Sequence, residues 1–153
     1  MKITDFLDVG RIIPDLKGRD KRAVLKEMAD ELASRNGSFD AGTLFETLLE
    51  REKISSTAIG EGVAIPHGKT PGGGKVSGIF ARSLPGVNFE SLDGGPTHLF
   101  FVLLTPEDSA ADHLKALARI SRLLKDSSFR ARLLEGKTPR EIFGVIMAED
   151  EKF

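Results

Sequence analysis

The chain has 153 residues, 40% of them apolar and 29% charged, a balance that suits one soluble domain with its own core. With 22 Lys and Arg against 23 Asp and Glu the net charge is −1, so no general pull toward nucleic acid or anionic lipid exists and any anion site must be local. The absence of cysteine excludes disulfides and thiol chemistry, Met1 to Gly10 lacks the apolar stretch of a signal peptide, and no run approaches the ~20 apolar residues of a membrane span, so the expected setting is the cytoplasm, without nucleic-acid binding or membrane insertion.

Asp20 reads as the N-cap of a helix running to about Arg35, with Val24, Leu25, Met28, Ala29 and Leu32 at helical spacing and Asn36-Gly37 as the stop. A second helix starts near Asp40, carries an apolar stripe at Leu44, Phe45, Leu48 and Leu49, and ends around Arg51 to Lys53. From Ile54 to Gly74 the chain turns to Ser, Thr, Gly and Pro, interrupted by one short strand at Val63-Ala64-Ile65 and closed by the loop Gly72-Gly73-Gly74. Val76 to Arg82 reads as a strand ended by Pro85-Gly86, and Asp93-Gly94-Gly95-Pro96 as a turn. His98 to Thr105, nearly all apolar, reads as a buried central strand.

Ser109 to Lys125 is predicted helical, with Ala110, Leu114, Leu117, Ile120, Leu123 and Leu124 facing inward. Ser127 to Glu135 is a short helix closed by Gly136. Thr138, Pro139 and Glu141 form the N-cap, N1 and N3 of a capping box that opens a last helix, which packs Ile142, Phe143, Val145 and Ile146. Interleaved helices and strands place the chain in the α/β (α+β) class: residues 1–153 as a single domain, one mixed sheet flanked by helices, with at least one parallel pair.

The chemistry is concentrated around His67. Pro66 forces Ile65 extended and donates no N–H, and Gly68 offers no side chain to shield the imidazole. A ring emerging from a strand end between Pro and Gly is accessible and fixed in direction. Neutral imidazole is a good nucleophile near pH 7, because its ordinary pKa is ~6.5 and no separate base is needed. A site for phosphoryl transfer then needs alignment and charge stabilisation. Candidate groups are Arg51, the hydroxyls of Ser55, Ser56 and Thr57, and His113, near the edge of the apolar stripe on its helix.

Each of these residues also has a plain structural reading. Arg51 suits a helix C-terminus, and Ser55, Ser56 and Thr57 suit a turn. His98, opening an apolar strand without a partner motif, reads as structural. Gly68-Lys69-Thr70 resembles the tail of a P-loop, but the required Gly five positions before Gly68 is Val63, and Pro66 removes an N–H from the cradle. His67, His98 and His113 lack compact metal-ligand spacing, so no metal is expected.

The segment from Arg51-Glu52 through Ser56-Thr57-Ala58-Ile59-Gly60 to Ala64-Ile65-Pro66-His67-Gly68-Lys69 resembles the active-site signature of the fructose/mannitol-type (type 2) enzyme IIA of the bacterial phosphotransferase system. The likeness extends over nearly the whole chain, through Phe89-Glu90-Ser91-Leu92-Asp93, Leu99 to Pro106, and His113-Leu114-Lys115-Ala116-Leu117. It implies a phosphohistidine at His67 on Nε2, a second histidine at His113 that helps hold the phosphoryl group, and the active-site arginine at Arg51. It also implies a phosphoryl donor, either the small carrier HPr or its nitrogen-branch paralogue, and a mixed sheet flanked by helices. No cofactor is expected.

Within that family the chain is most similar to the free-standing nitrogen-regulatory branch. The expected role is that of a phosphotransferase component acting mainly as a regulator toward target proteins. The alternative is a sugar-specific IIA passing phosphate to a cysteine of a IIB component. Thr70 to Lys75 departs from the family's pattern.

Overall fold

The computed structural model describes residues 1–35, 37, 39–71 and 74–153. Asn36 of the predicted Asn36-Gly37 stop, and Gly72 and Gly73 of the glycine loop, lie outside the described residues. After two 3₁₀ turns near the N-terminus come β1 (Ile12–Ile13), α1 (Lys21–Arg35), α2 (Ala41–Ile54), β2 (Ala58–Gly60), β3 (Val63–Ala64) and β4 (His67–Thr70). They are followed by β5 (Ser77–Val87), β6 (Thr97–Pro106), α3 (Ala110–Leu124), α4 (Ser127–Glu135) and α5 (Pro139–Asp150).

The strands form one mixed sheet in the order β1-β5-β6-β3-β2, with β4 also on β6. β5 runs antiparallel to β6, whereas β3 and β4 run parallel to it. The apolar run predicted over 98–105 is the sheet's centre, and its alternation builds two cores. Leu99, Phe101 and Leu103 join Phe80 and residues of α3, α4 and α5 on one face. Phe100, Val102 and Leu104 join Val24, Leu25, Met28, Leu44 and Leu48 of α1 and α2 on the other. A strand apolar on both faces needs helices on both, which is the architecture observed.

The local start signals act as read, with one exception. Asp20, Asp40 and Thr138 each accept a hydrogen bond from the backbone N–H three residues on, at 2.9, 2.9 and 3.1 Å. Glu141 does not close the predicted box: its carboxylate takes the N–H of Lys137 at 2.7 Å, one residue before the cap.

Three further expectations are corrected. Pro85-Gly86 does not end β5. The pairing shifts between Arg82↔Leu99 and Val87↔Thr97, with Gly86 at φ +89°, so the turn residues form an irregularity inside a longer strand. His67 does not merely follow the end of a short strand but opens a further one, β4. β3 and β4 lie end to end along the same side of β6, pairing Val63 with Leu99 and His67 with Leu103. The break falls at Ile65-Pro66, where proline cannot donate but its carbonyl still accepts from Leu103 N–H at 2.9 Å. On α3, Leu114 is 67% exposed and Ala110 is exposed; the inward stripe is His113, Ala116, Ile120, Leu123 and Leu124. The helix is turned so that an imidazole, not a leucine, enters the core, because β6 offers that imidazole a hydrogen-bond partner.

Candidate active site

The site lies where the last turn of α2, the start of β4 and the first turn of α3 converge beside β6. Gly68 allows the convergence. A Cβ there would stand 2.6 Å from Thr47 Cγ2, so only glycine lets β4 pack this closely on α2. Thr47 is one helical turn before Arg51, and the close approach brings Arg51 onto the ring of His67. If His67 accepts a phosphoryl group, as the sequence resemblance implies, Gly68→Ala should lower that acceptance by roughly tenfold to a hundredfold with the fold retained, since small displacements of reacting groups are costly. The double variant Thr47→Ala/Gly68→Ala should recover most of it. Equal rates for wild type and the single variant in a transfer assay would refute this account.

The hydrogen bonds of His67 determine its tautomer. Nδ1 lies 2.7 Å from the carbonyl oxygen of Ile65, which can only accept, so Nδ1 carries the proton. Nε2 accepts from Arg51 Nε at 3.3 Å and therefore presents a lone pair. A second Arg51 nitrogen donates to the Ser55 carbonyl at 2.9 Å, which anchors the guanidinium on the C-terminus of its own helix. Burial is the largest influence on His67 and lowers its pKa. The Ile65 carbonyl opposes that, the Arg51 charge reinforces it, and the Glu52 carboxylate opposes it weakly. The ring is thus neutral at pH 7.

His113 is buried with its ring 5.4 Å from that of His67, centre to centre, and its Nδ1 2.8 Å from Thr105 Oγ1. Burial lowers its pKa as well, helped by the charges of His67 and Lys69.

Arg51, His67 and His113 are therefore brought together. The three hydroxyl residues are placed differently. Ser55 caps α2 and is exposed, with its carbonyl on Arg51. Ser56 donates its hydroxyl to the Phe89 carbonyl at 2.9 Å and accepts from Ala58 N–H. Thr57 is buried, and its hydroxyl and N–H both go to the carboxylate of Glu52. His98 stands apart, with Nδ1 against the Ser83 carbonyl at 3.0 Å and its ring over Gly86. Among the described residues no cluster of His, Cys, Asp and Glu is arranged to hold a metal.

Two participants were missed in the sequence. Glu52, buried, pairs with Lys21 Nζ at 3.0 Å and carries the turn at Thr57, whose carbonyl in turn accepts from Ile65 N–H. Its signal was available: Glu52 continues the stripe Leu44, Leu48 at four-residue spacing, an acid in an inward position. The other is Thr105, in register with Leu99, Phe101 and Leu103 and so on the face that meets α3.

Comparison with known proteins matches this arrangement to one family. The chain is 46% identical over 146 residues to a nitrogen regulatory protein of Bradyrhizobium diazoefficiens, covering 95% of each. It is 39% identical over 151 residues to a fructose-specific EIIABC component of Bacillus subtilis, of which it spans 24%. The crystal structure of the nitrogen regulatory protein IIA-Ntr from Neisseria meningitidis superposes with a TM-score of 0.88 at 33% identity, covering 94% of this chain and 98% of that one. The family model described as phosphoenolpyruvate-dependent sugar phosphotransferase system, EIIA 2, matches residues 5–149, and the chain belongs to that family.

Proposed function

We propose that the protein accepts a phosphoryl group on Nε2 of His67 from an HPr-type carrier, HPr itself or its nitrogen-branch paralogue, and signals through its phosphorylation state in the cytoplasm. The observation that carries this reading is the 2.7 Å approach of His67 Nδ1 to the Ile65 carbonyl, which places the ring proton on Nδ1 and leaves the Nε2 lone pair facing the Arg51 guanidinium. The lone pair on Nε2 attacks phosphorus as the bond from phosphorus to the carrier's donor atom breaks, and the electron pair of that bond leaves with the carrier. His67 keeps its Nδ1 proton throughout. The positive charge its ring gains is held by the Ile65 carbonyl, and the phosphoryl oxygens are held by Arg51 and His113.

Ile54 and Leu114, 80% and 67% exposed, lie within three residues of Arg51 and one of His113 and offer an apolar rim for a transient partner. Adding a dianion at that rim alters what the surface can bind, which is how a regulatory target would distinguish the two forms. Likeness to nitrogen regulatory proteins over nearly whole chains favours regulation. Likeness to a fructose-specific EIIABC component supports the second reading, transfer to a IIB cysteine for sugar uptake. Incubation with enzyme I, an HPr-type carrier and labelled phosphoenolpyruvate should give acid-labile, alkali-stable label on the protein. Label that passes on to a IIB cysteine would favour transport; label retained until a regulatory target binds would favour signalling.

The pH dependence follows from burial of His67. The protonated ring has no lone pair on Nε2, and its folded pKa lies below the ordinary ~6.5. Acceptance at pH 6.5 should therefore be better preserved than an ordinary imidazole would allow, falling as pH drops through the lower folded value. Between the two values the unfolded chain binds more protons, so the contribution of His67 to stability is present above ~6.5 and lost as pH falls through that window. An NMR titration of His67 with its midpoint at or above 6.5 would contradict both statements.

A further inference from the structure

We infer that Thr105 is a positioning residue that sets the tautomer of His113, fixing its single ring proton on Nε2 as a donor for the phosphoryl group on His67; this rests on the proposed function. The argument is one of hydrogen-bond accounting. Thr105 is wholly buried, and its Oγ1 lies 2.8 Å from His113 Nδ1. Among the described residues the Thr105 hydroxyl makes no hydrogen bond other than this one.

If Nδ1–H donated to Oγ1, the buried hydroxyl would be left with a proton and no acceptor, a cost that native interiors avoid. If the hydroxyl donates to Nδ1, every group is satisfied and the ring proton must sit on Nε2. Burial keeps His113 neutral, so it has only one such proton to place. The two rings, 5.4 Å apart, then hold opposite tautomers. His67 is protonated on Nδ1 and nucleophilic on Nε2; His113 accepts on Nδ1 and donates from Nε2. A carbonyl of the strand break sets the first, and a hydroxyl at the end of β6 sets the second.

The test is NMR of the ring nitrogens, where two-bond couplings from the ring C–H protons distinguish the tautomers, combined with quench-flow transfer. Wild type and Thr105→Ser should show His113 as the Nε2–H form. Thr105→Val should populate the Nδ1–H form and slow phosphoryl transfer roughly tenfold, less than the ~100-fold of losing a preorganised donor outright, because some Nε2–H form remains. Retention of activity in Thr105→Ser separates the hydroxyl's role from a packing defect. An Nδ1–H tautomer at His113 in wild type would overturn the inference, as would an unchanged tautomer in Thr105→Val. The tautomer is read on unphosphorylated protein, so a failure of His67 to accept phosphate would sink the proposed function while the tautomer still decides this point.

Discussion

The His67→Ala protein should take up no label from a phosphorylated HPr-type carrier, while keeping the wild-type fold. His67 is half-buried at the start of β4, and its backbone pairing with Leu103 does not depend on the side chain. Alanine therefore removes the ring without breaking the sheet edge. What disappears is the only imidazole whose Nε2 is unprotonated and faces Arg51 among the described residues. His113 cannot substitute. It is buried, and its Nδ1 is engaged by Thr105. On the proposed function Arg51 and His113 would stabilise charge but bring no nucleophile, so the expected loss is complete and not partial, in contrast to removal of one stabilising donor, which costs ~100- to 1,000-fold. Acid-labile label persisting on the His67→Ala protein would remove the assignment.

The largest stability effect is expected at Arg82, far from the chemistry. This residue is 2% exposed and pairs with no carboxylate among the described residues. Its guanidinium instead donates to backbone carbonyls: Pro14 at 3.0 Å, Leu133 at 3.0 Å, Leu134 at 3.3 Å and Gly136 at 2.5 Å. Three of these belong to the C-terminal end of α4, where carbonyls have no partner within the helix and the macrodipole is negative. One side chain thus joins β5 to the segment after β1 and to the end of α4.

Arg82→Met keeps much of the apolar stem and removes the donor from those carbonyls, of which Leu133's is buried and the others partly buried. The expected loss is about 2–4 kcal/mol, a fall in Tm of roughly 5–15 °C for a domain of this size. Thermal unfolding followed by circular dichroism measures it. A fall of less than about 2 °C would mean that water or a neighbouring donor satisfies α4 without Arg82. In the sequence, Arg82 reads only as the polar end of a strand, since nothing local announces which carbonyls it will meet.

The helices and the central strand were legible because their signals are local. Asp20, Asp40 and Thr138 cap their helices through bonds that span three residues, and such bonds depend on nothing distant. The apolar run over 98–105 requires burial on both faces wherever it lies, so helices on both sides of the sheet follow from composition alone. Recognition of the site was legible for a different reason: Arg51, His67 and His113 fall in a family pattern, and the structure brings them together.

The errors share a cause. Leu114 and His113 are neighbours on α3, and hydrophobicity alone turns the helix so that leucine faces inward; the hydroxyl of Thr105 reverses that preference. Pro85-Gly86 carries every local mark of a turn, yet pairing of Val87 with Thr97 carries β5 past it. β4 has no apolar pattern and is a strand only because β6 supplies its partners.

The sequence by itself determined where helices begin, which strand is central, and that an imidazole stands between a proline and a glycine. Those features rest on interactions within a few residues or on burial that any compact fold must provide. The tertiary structure alone decided the protonation of that imidazole, its arginine neighbour, and the turning of α3 that buries the second histidine. Each of those depends on a hydrogen-bond partner distant along the chain, and such partners exist only once the sheet has assembled.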